Sequence, residues 1–199
     1  MLDGATKSFQ QSYNTQIAVD DANQIIVAAA VTRDATDNHQ LVPVLTQVEA
    51  NTGKLPEVAT ADNGYMSPAA LTDEKLKAVD LYIAPGRERS GTARPNEAVT
   101  ATPVEAAGTS SPFDEMRAKV RSEAGQAIYK RRKAVVEPVF GQIKQARGFR
   151  QFLLRGLEQV TAEWKLVALT HNLLKLFRSG WVSKAKVGIP SEAVGMPTA

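Results

Sequence analysis

The chain has 199 residues, 43% of them hydrophobic, no cysteine and a net charge of +3. That suits one globular domain with a sizeable core, and it excludes a disulfide framework and thiolate metal sites. No apolar run approaches the roughly 20 residues of a membrane span, and MLDGATKSFQ lacks a basic-then-apolar leader pattern, so no membrane partner and a cytoplasmic place are expected.

SYNTQIAVDD (12–21) alternates toward Ile17 and Val19, and after the turn-like DDANQ comes the apolar run QIIVAAAVT (24–32); together they predict a β-hairpin. A helix follows, with Thr36 or Asp37 as its N-cap, Leu41, Val44, Leu45 and Val48 on its apolar face, Pro43 in its first turn and Gly53 at its end. EVATAD (57–62) reads as a strand stopped by Asn63-Gly64, residues 67–79 as a helix with Pro68 near its start, and 81–85 as another strand. The order so far is β-β-α-β-α-β. Residues 86–112 are rich in Gly, Pro, Ser, Thr and Ala and predict a mobile loop or linker. Helical patterning resumes near Phe113 and returns in EQVTAEWKLVALTHNLLKLF (158–177), whose apolar positions are too broad for one stripe, so the last helix is expected to be largely buried. Scattered Gly and Pro from Gly180 onward predict a loosely ordered tail. The expected organisation is therefore 1–85, a loop at 86–112, a helical part at 113–178 and a tail at 179–199.

The net charge hides a split. Residues 1–100 hold 8 Lys/Arg against 13 Asp/Glu, and residues 101–199 hold 16 against 8. A segregated basic half is the footprint of a polyanion partner, because each cation that neutralises a phosphate releases a condensed counterion. A solvated basic surface is the competing account.

The basic half peaks at YKRRKAVVEPVFGQIKQARGFR (129–150), seven cations around the single acid Glu137. On a helical wheel Lys130, Lys133, Gly141 and Lys144 fall within about 40° of Glu137, with Ile128, Val135, Val136, Val139 and Ile143 on the far side. Such a stripe is ordinarily a set of solvated ion pairs worth a few tenths of a kcal/mol each. Pro138 cannot donate to the Ala134 carbonyl and disfavours the α conformation at Glu137, so the helix is expected to kink or begin there. A carboxylate inside a phosphate-binding surface repels the ligand that its neighbours attract, unless a divalent cation bridges it to the phosphate; magnesium takes such carboxylate and phosphate oxygens. A second carboxylate is then needed. Asp62 ends a strand that precedes a helix, where α/β ligand sites form, although Asp before Asn-Gly is also an ordinary turn former. Asp20 and Asp21 in the hairpin turn, and Asp34 and Asp37 where a cap is wanted, read as local structure. There is no P-loop and no dinucleotide-binding glycine pattern. His39 and His171 lack metal-ligand spacing, with His171 read as packed or capping, and Trp164 and Trp181 read as core or docking residues.

YNTQIAVD, ADNGY, YKRRKAVVEPVFGQIKQARGF, FLLRGLEQVTAEW and HNLLKL, in that order, resemble the catalytic domain of bacterial insertion-sequence transposases of the DDE type. The resemblance implies a ribonuclease-H-like α/β fold, a mixed sheet flanked by helices. It also implies three acids that bind two Mg2+ (or Mn2+) ions to cleave DNA at transposon ends and join the 3′-hydroxyl to target DNA. Asp62 then corresponds to the second acid and Glu137 to the third, both as catalytic metal ligands. Tyr129, Arg132, Glu137 and Lys144 stand for the family's Tyr-Arg-Glu-Lys signature, with Arg132 to Glu137 one residue longer than the commonest version. Tyr129, Lys130, Arg131, Arg132, Lys133, Lys144 and Arg147 are the expected DNA-binding residues. For the first acid the chain offers only Asp3, in a Gly-containing stretch, and Asp20, in a turn, so the first strand and first acid are expected to be missing through an N-terminal truncation. Double-stranded DNA is the implied partner, with a homo-oligomer in the active state and nucleoid association when DNA is bound. A catalytically inactive DNA-binding remnant, and a general basic RNA-binding protein, are the alternatives.

Overall fold

In the computed structural model, which describes residues 12–84, 86 and 111–179, β1 (Asn14–Val19) and β2 (Ile26–Thr32) form the expected antiparallel hairpin. Asp20 shapes its turn: the backbone N–H donates to the Ile25 carbonyl at 2.9 Å, and Oδ2 accepts the Asn23 N–H at 2.9 Å. Asp20 is thus a turn former, as its position suggested.

α1 (Leu41–Thr52) buries Leu41, Val44, Leu45 and Val48 and ends on Gly53, whose φ of 81° is the left-handed cap that glycine adopts without strain. Its start differs from expectation. Gln40 is the N-cap residue and makes no side-chain cap, because the Asp37 carboxylate is drawn instead to the amides of Asn14 and Gln16 on β1.

β3 (Val58–Ala61) pairs in parallel with β4 (Asp80–Ile83). The helix expected between them splits into α2 (Pro68–Thr72), capped by Ser67 and opened by Pro68, and a 3-10 turn at Lys75–Ala78. Asp73 causes the break: its Oδ1 accepts the Lys75 N–H at 2.9 Å, a local bond that competes with the helical ladder. The element order β-β-α-β-α-β holds, yet the strands form two separate two-stranded sheets among the described residues. Pro85, most of the expected loop (87–110) and the tail from 180 lie outside the described residues, as do Asp3 and Trp181.

α3 (Pro112–Arg121) and α4 (Glu123–Gly141) share Ser122, whose Oγ accepts the Gly125 N–H at 3.0 Å and starts the second helix. A Cβ on Gly125 would overlap the Lys119 carbonyl oxygen, a backbone atom with no flexible end to move aside. Gly125→Ala is therefore expected to destabilise the fold by about 1–3 kcal/mol, the usual cost of overpacking. Urea unfolding checks this; an unchanged midpoint would mean that the α3–α4 corner yields freely.

Of the two outcomes expected at Pro138, a kink or a helix start, the start does not occur: α4 runs through it. The Ala134 carbonyl that it leaves without a helical donor accepts Gln24 Nε2–H from the hairpin turn at 3.0 Å, so the missing bond is replaced across the fold. The distortion appears one step later, as a π-helical turn at Gln142–Ala146.

α5 (Leu157–Arg178) corrects a further expectation. Val160, Trp164, Ala168 and His171 are its buried positions, while Leu166, Leu169, Leu173, Leu176 and Phe177 are exposed. The broad apolar pattern is two faces: one packs on β2, and the other is exposed. Adjacent residues of β2 serve opposite sides, as a strand requires. Ala28 joins the core of α1, α2, α3 and β4, and Ala29 joins Val139, Ile143, Trp164 and Ala168 in a second core.

His171 is fully buried, Nε2–H donating to the Gln24 carbonyl at 2.9 Å with Nδ1 unpartnered, and burial lowers its pKa. The folded state holds the neutral ring, whereas the unfolded chain takes up a proton near pH 6.5. This contribution to stability is complete above about pH 6.5 and is lost as the pH falls toward the depressed folded value. His171→Gln is expected to flatten that part of the curve when urea midpoints are followed from pH 8 to pH 5.

Candidate functional site

Asn14 and Gln16 lie two apart on β1 and so point to the same side. Gln16, 1% exposed, has every polar atom of its side chain engaged: Nε2 donates to Asn14 Oδ1 at 2.9 Å and to Asp37 Oδ1 at 2.7 Å, and Oε1 accepts the Tyr65 hydroxyl. Asn14 Nδ2 donates to the same Asp37 oxygen at 2.6 Å. Two amides thus hold Asp37 by Oδ1 and leave Oδ2 free to face the opposite wall.

That wall is the 3-10 turn Asn63–Tyr65 at the carboxyl end of β3. Asp62 is its N-cap, Oδ1 accepting the Gly64 N–H at 3.0 Å, so the turn-former account of Asp62 holds. The turn also brings two carboxylates together. A Cβ on Gly64 would lie 2.9 Å from Asp37 Oδ2 and 3.2 Å from Asp62 Oδ1, so both oxygens border the space that the glycine leaves open.

Tyr65 carries the electrostatic record of this arrangement. Burial, then Asp37 and then Asp62, push its phenol far above the usual range, and Arg132 acts in the opposite sense. The phenol therefore stays protonated and remains a donor to Gln16. Arg132, from α4, is the nearby cation; its guanidinium lies 5.5 Å from the centre of the Tyr129 ring, and its Nε is buried without a partner. Tyr129 itself is half-buried against the first core.

Glu137 is five residues beyond Arg132, about 140° around the helix. It is exposed with Lys130, Lys133 and Lys144, as the wheel predicted. No group of three or more acidic, histidine or cysteine side chains converges as a cation site among the described residues, so Asp37, Asp62 and Glu137 do not form one. The cations differ in freedom. Arg131 is paired with Asp21 at 2.7 Å, and Arg147 donates to Thr170 Oγ1 and to its carbonyl, each at 2.9 Å. Lys130 and Lys133 make no ion pair among the described residues, and the Lys144 ammonium lies 5.3 Å from the Phe140 ring centre. Asp37 is the residue that sequence reasoning took for a cap. The usable signal was the pair of amides at alternate positions of a strand otherwise apolar on that side, which require a polar partner once buried.

Among the described residues no helix is long and apolar enough to cross a membrane. Neither the curated proteins nor the solved structures give a match. The family model of the transposase DDE domain matches residues 88–177, a stretch that includes Glu137 and the whole cationic helix, with Asp37 and Asp62 upstream of it. Over that stretch, together with the ordered blocks read from the residues, the chain is similar to transposase DDE domains.

Proposed function

We propose that this chain serves DNA transposition by metal-assisted phosphoryl transfer at insertion-sequence ends, with Asp37 and Asp62 as its paired carboxylates. The observation that carries the reading is the convergence of Asp37 Oδ2 and Asp62 Oδ1 on Gly64. Two adjacent carboxylates suit Mg2+ or Mn2+ in donor chemistry, with phosphate oxygens and water as the further ligands such ions take. A divalent cation held there would polarise the scissile phosphate and steady the charge of an in-line displacement. The chain's own residues do the positioning: Asn14 and Gln16 fix Asp37, the Gly64 N–H fixes Asp62, and Arg132 offers a cation to phosphate. Lys130, Lys133 and Lys144 present the exposed charge that tracks a DNA backbone. A ribonuclease-H-like fold fits the element order.

The second reading, a DNA-binding remnant, is favoured by one observation: Glu137 does not join the aspartates. Nicking of duplex DNA bearing the insertion-sequence end separates the two. Cleavage that requires Mg2+ or Mn2+ and stops on chelation supports the proposal. Salt-sensitive binding with no cleavage at any metal concentration establishes the remnant. In either case Lys130→Ala and Lys133→Ala are expected to reduce the salt slope of DNA binding by about one each.

A further inference from the structure

We propose that the exposed face of α5 is a dimer interface that takes the same face of a second copy of this chain. Leu166, Leu169, Leu173 and Leu176 are 59%, 52%, 55% and 40% exposed, and Phe177 is 73% exposed. Their spacing of three, four and three is that of a helical seam, in which each side chain inserts between residues of a facing helix. The opposite face, with Val160, Trp164, Ala168 and His171, is already buried in the chain's own core. Of the five, Leu176 also borders a groove with Gln24 of the hairpin turn and Ala134 of α4.

Area and chemistry favour a second copy. At about 200 Å² for a fully exposed large side chain, the five expose on the order of 600 Å², the upper end of what a monomer leaves open. Paired about a two-fold axis they remove roughly 1,200 Å² in all, within the range of specific interfaces. Such pairing sets apolar face against apolar face without a second kind of surface. Lys165 and Thr170, both exposed, border the seam and supply a polar rim. The five seam positions are all apolar, with the cations Lys165 and Arg147, the latter bound to Thr170, at the rim, so an apolar partner suits the seam better than nucleic acid. The inference stands apart from the metal chemistry, since none of these residues touches Asp37 or Asp62.

Sedimentation equilibrium of the full chain tests it. The expected mass is twice 21.5 kDa at micromolar concentration, and Leu169→Glu with Leu173→Glu should weaken association at least about 100-fold while leaving far-ultraviolet circular dichroism unchanged. Because the chain has no cysteine, Leu169→Cys and Leu173→Cys proteins, alone and mixed, report the seam directly through interchain disulfides on mild oxidation. A monomeric wild-type chain overturns the proposal, as does a dimer that survives the double glutamate substitution. So does dimerisation that appears only after removal of residues 180–199, which would assign the face to the chain's own tail.

Discussion

Asp37→Asn and Asp62→Asn are each expected to lower Mn2+ affinity on the order of 100-fold, whereas Glu137→Gln leaves it unchanged. Each Asn keeps the size of the side chain and removes the charge on one of two carboxylates whose oxygens border the same space. Hard divalent cations depend on that charge, so either loss leaves a site too weak to compete with water. Glu137 lies on the exposed cationic stripe and forms no three-membered acidic group with Asp37 and Asp62 among the described residues. Gly64→Ala is the independent check, because its Cβ would stand 2.9 Å from Asp37 Oδ2 and 3.2 Å from Asp62 Oδ1 and would occupy the shared space without altering charge. Paramagnetic broadening or calorimetry with Mn2+ reads all four variants. If Glu137→Gln abolished binding and Asp37→Asn spared it, the acid pair would be Asp62 with Glu137, the pairing implied by family resemblance.

The residues explain which parts of the fold and the candidate site are legible in the sequence. Periodicity placed Glu137 correctly, because 3.6 residues per turn puts it with Lys130 and Lys133 on α4 whatever surrounds the helix. The hairpin, the strand ending at Ala61 and the turn at Asn63-Gly64 were legible for the same reason: each follows from local alternation or local turn chemistry. Asp37 was not. Its carboxylate had two local uses, capping α1 or turning inward, and the choice depends on Asn14 and Gln16, more than 20 residues away. Pro138 gives the same lesson, since local rules break the helix there and a side chain 114 positions earlier, Gln24, supplies the replacement bond. In α5 the pattern was correctly apolar, but composition alone could not assign its outward leucines to a surface.

Trp164→Ala is expected to cost about 3–5 kcal/mol, the largest stability loss of any single truncation considered. Trp164 is 3% exposed and packs against Phe149 and Phe152 at ring separations of 6.3 Å and 6.2 Å. Its indole Nε1–H donates to the backbone carbonyl of Gln16 at 3.3 Å. The first role makes removal expensive, because a large cavity opens among side chains from α5, the β1–β2 hairpin and the segment after α4, which cannot all collapse together. The second ties the core to the carboxylates: the residue whose backbone Trp164 holds is the one whose side-chain amide holds Asp37. Urea unfolding should show the stability loss, and Mn2+ titration of the fraction that remains folded should show weakened binding. Trp164→Phe separates the two effects, since it fills most of the volume and lacks the indole donor. It should recover most of the stability while leaving Gln16 without its α5 anchor. Full recovery of both by Phe would show that packing alone positions β1.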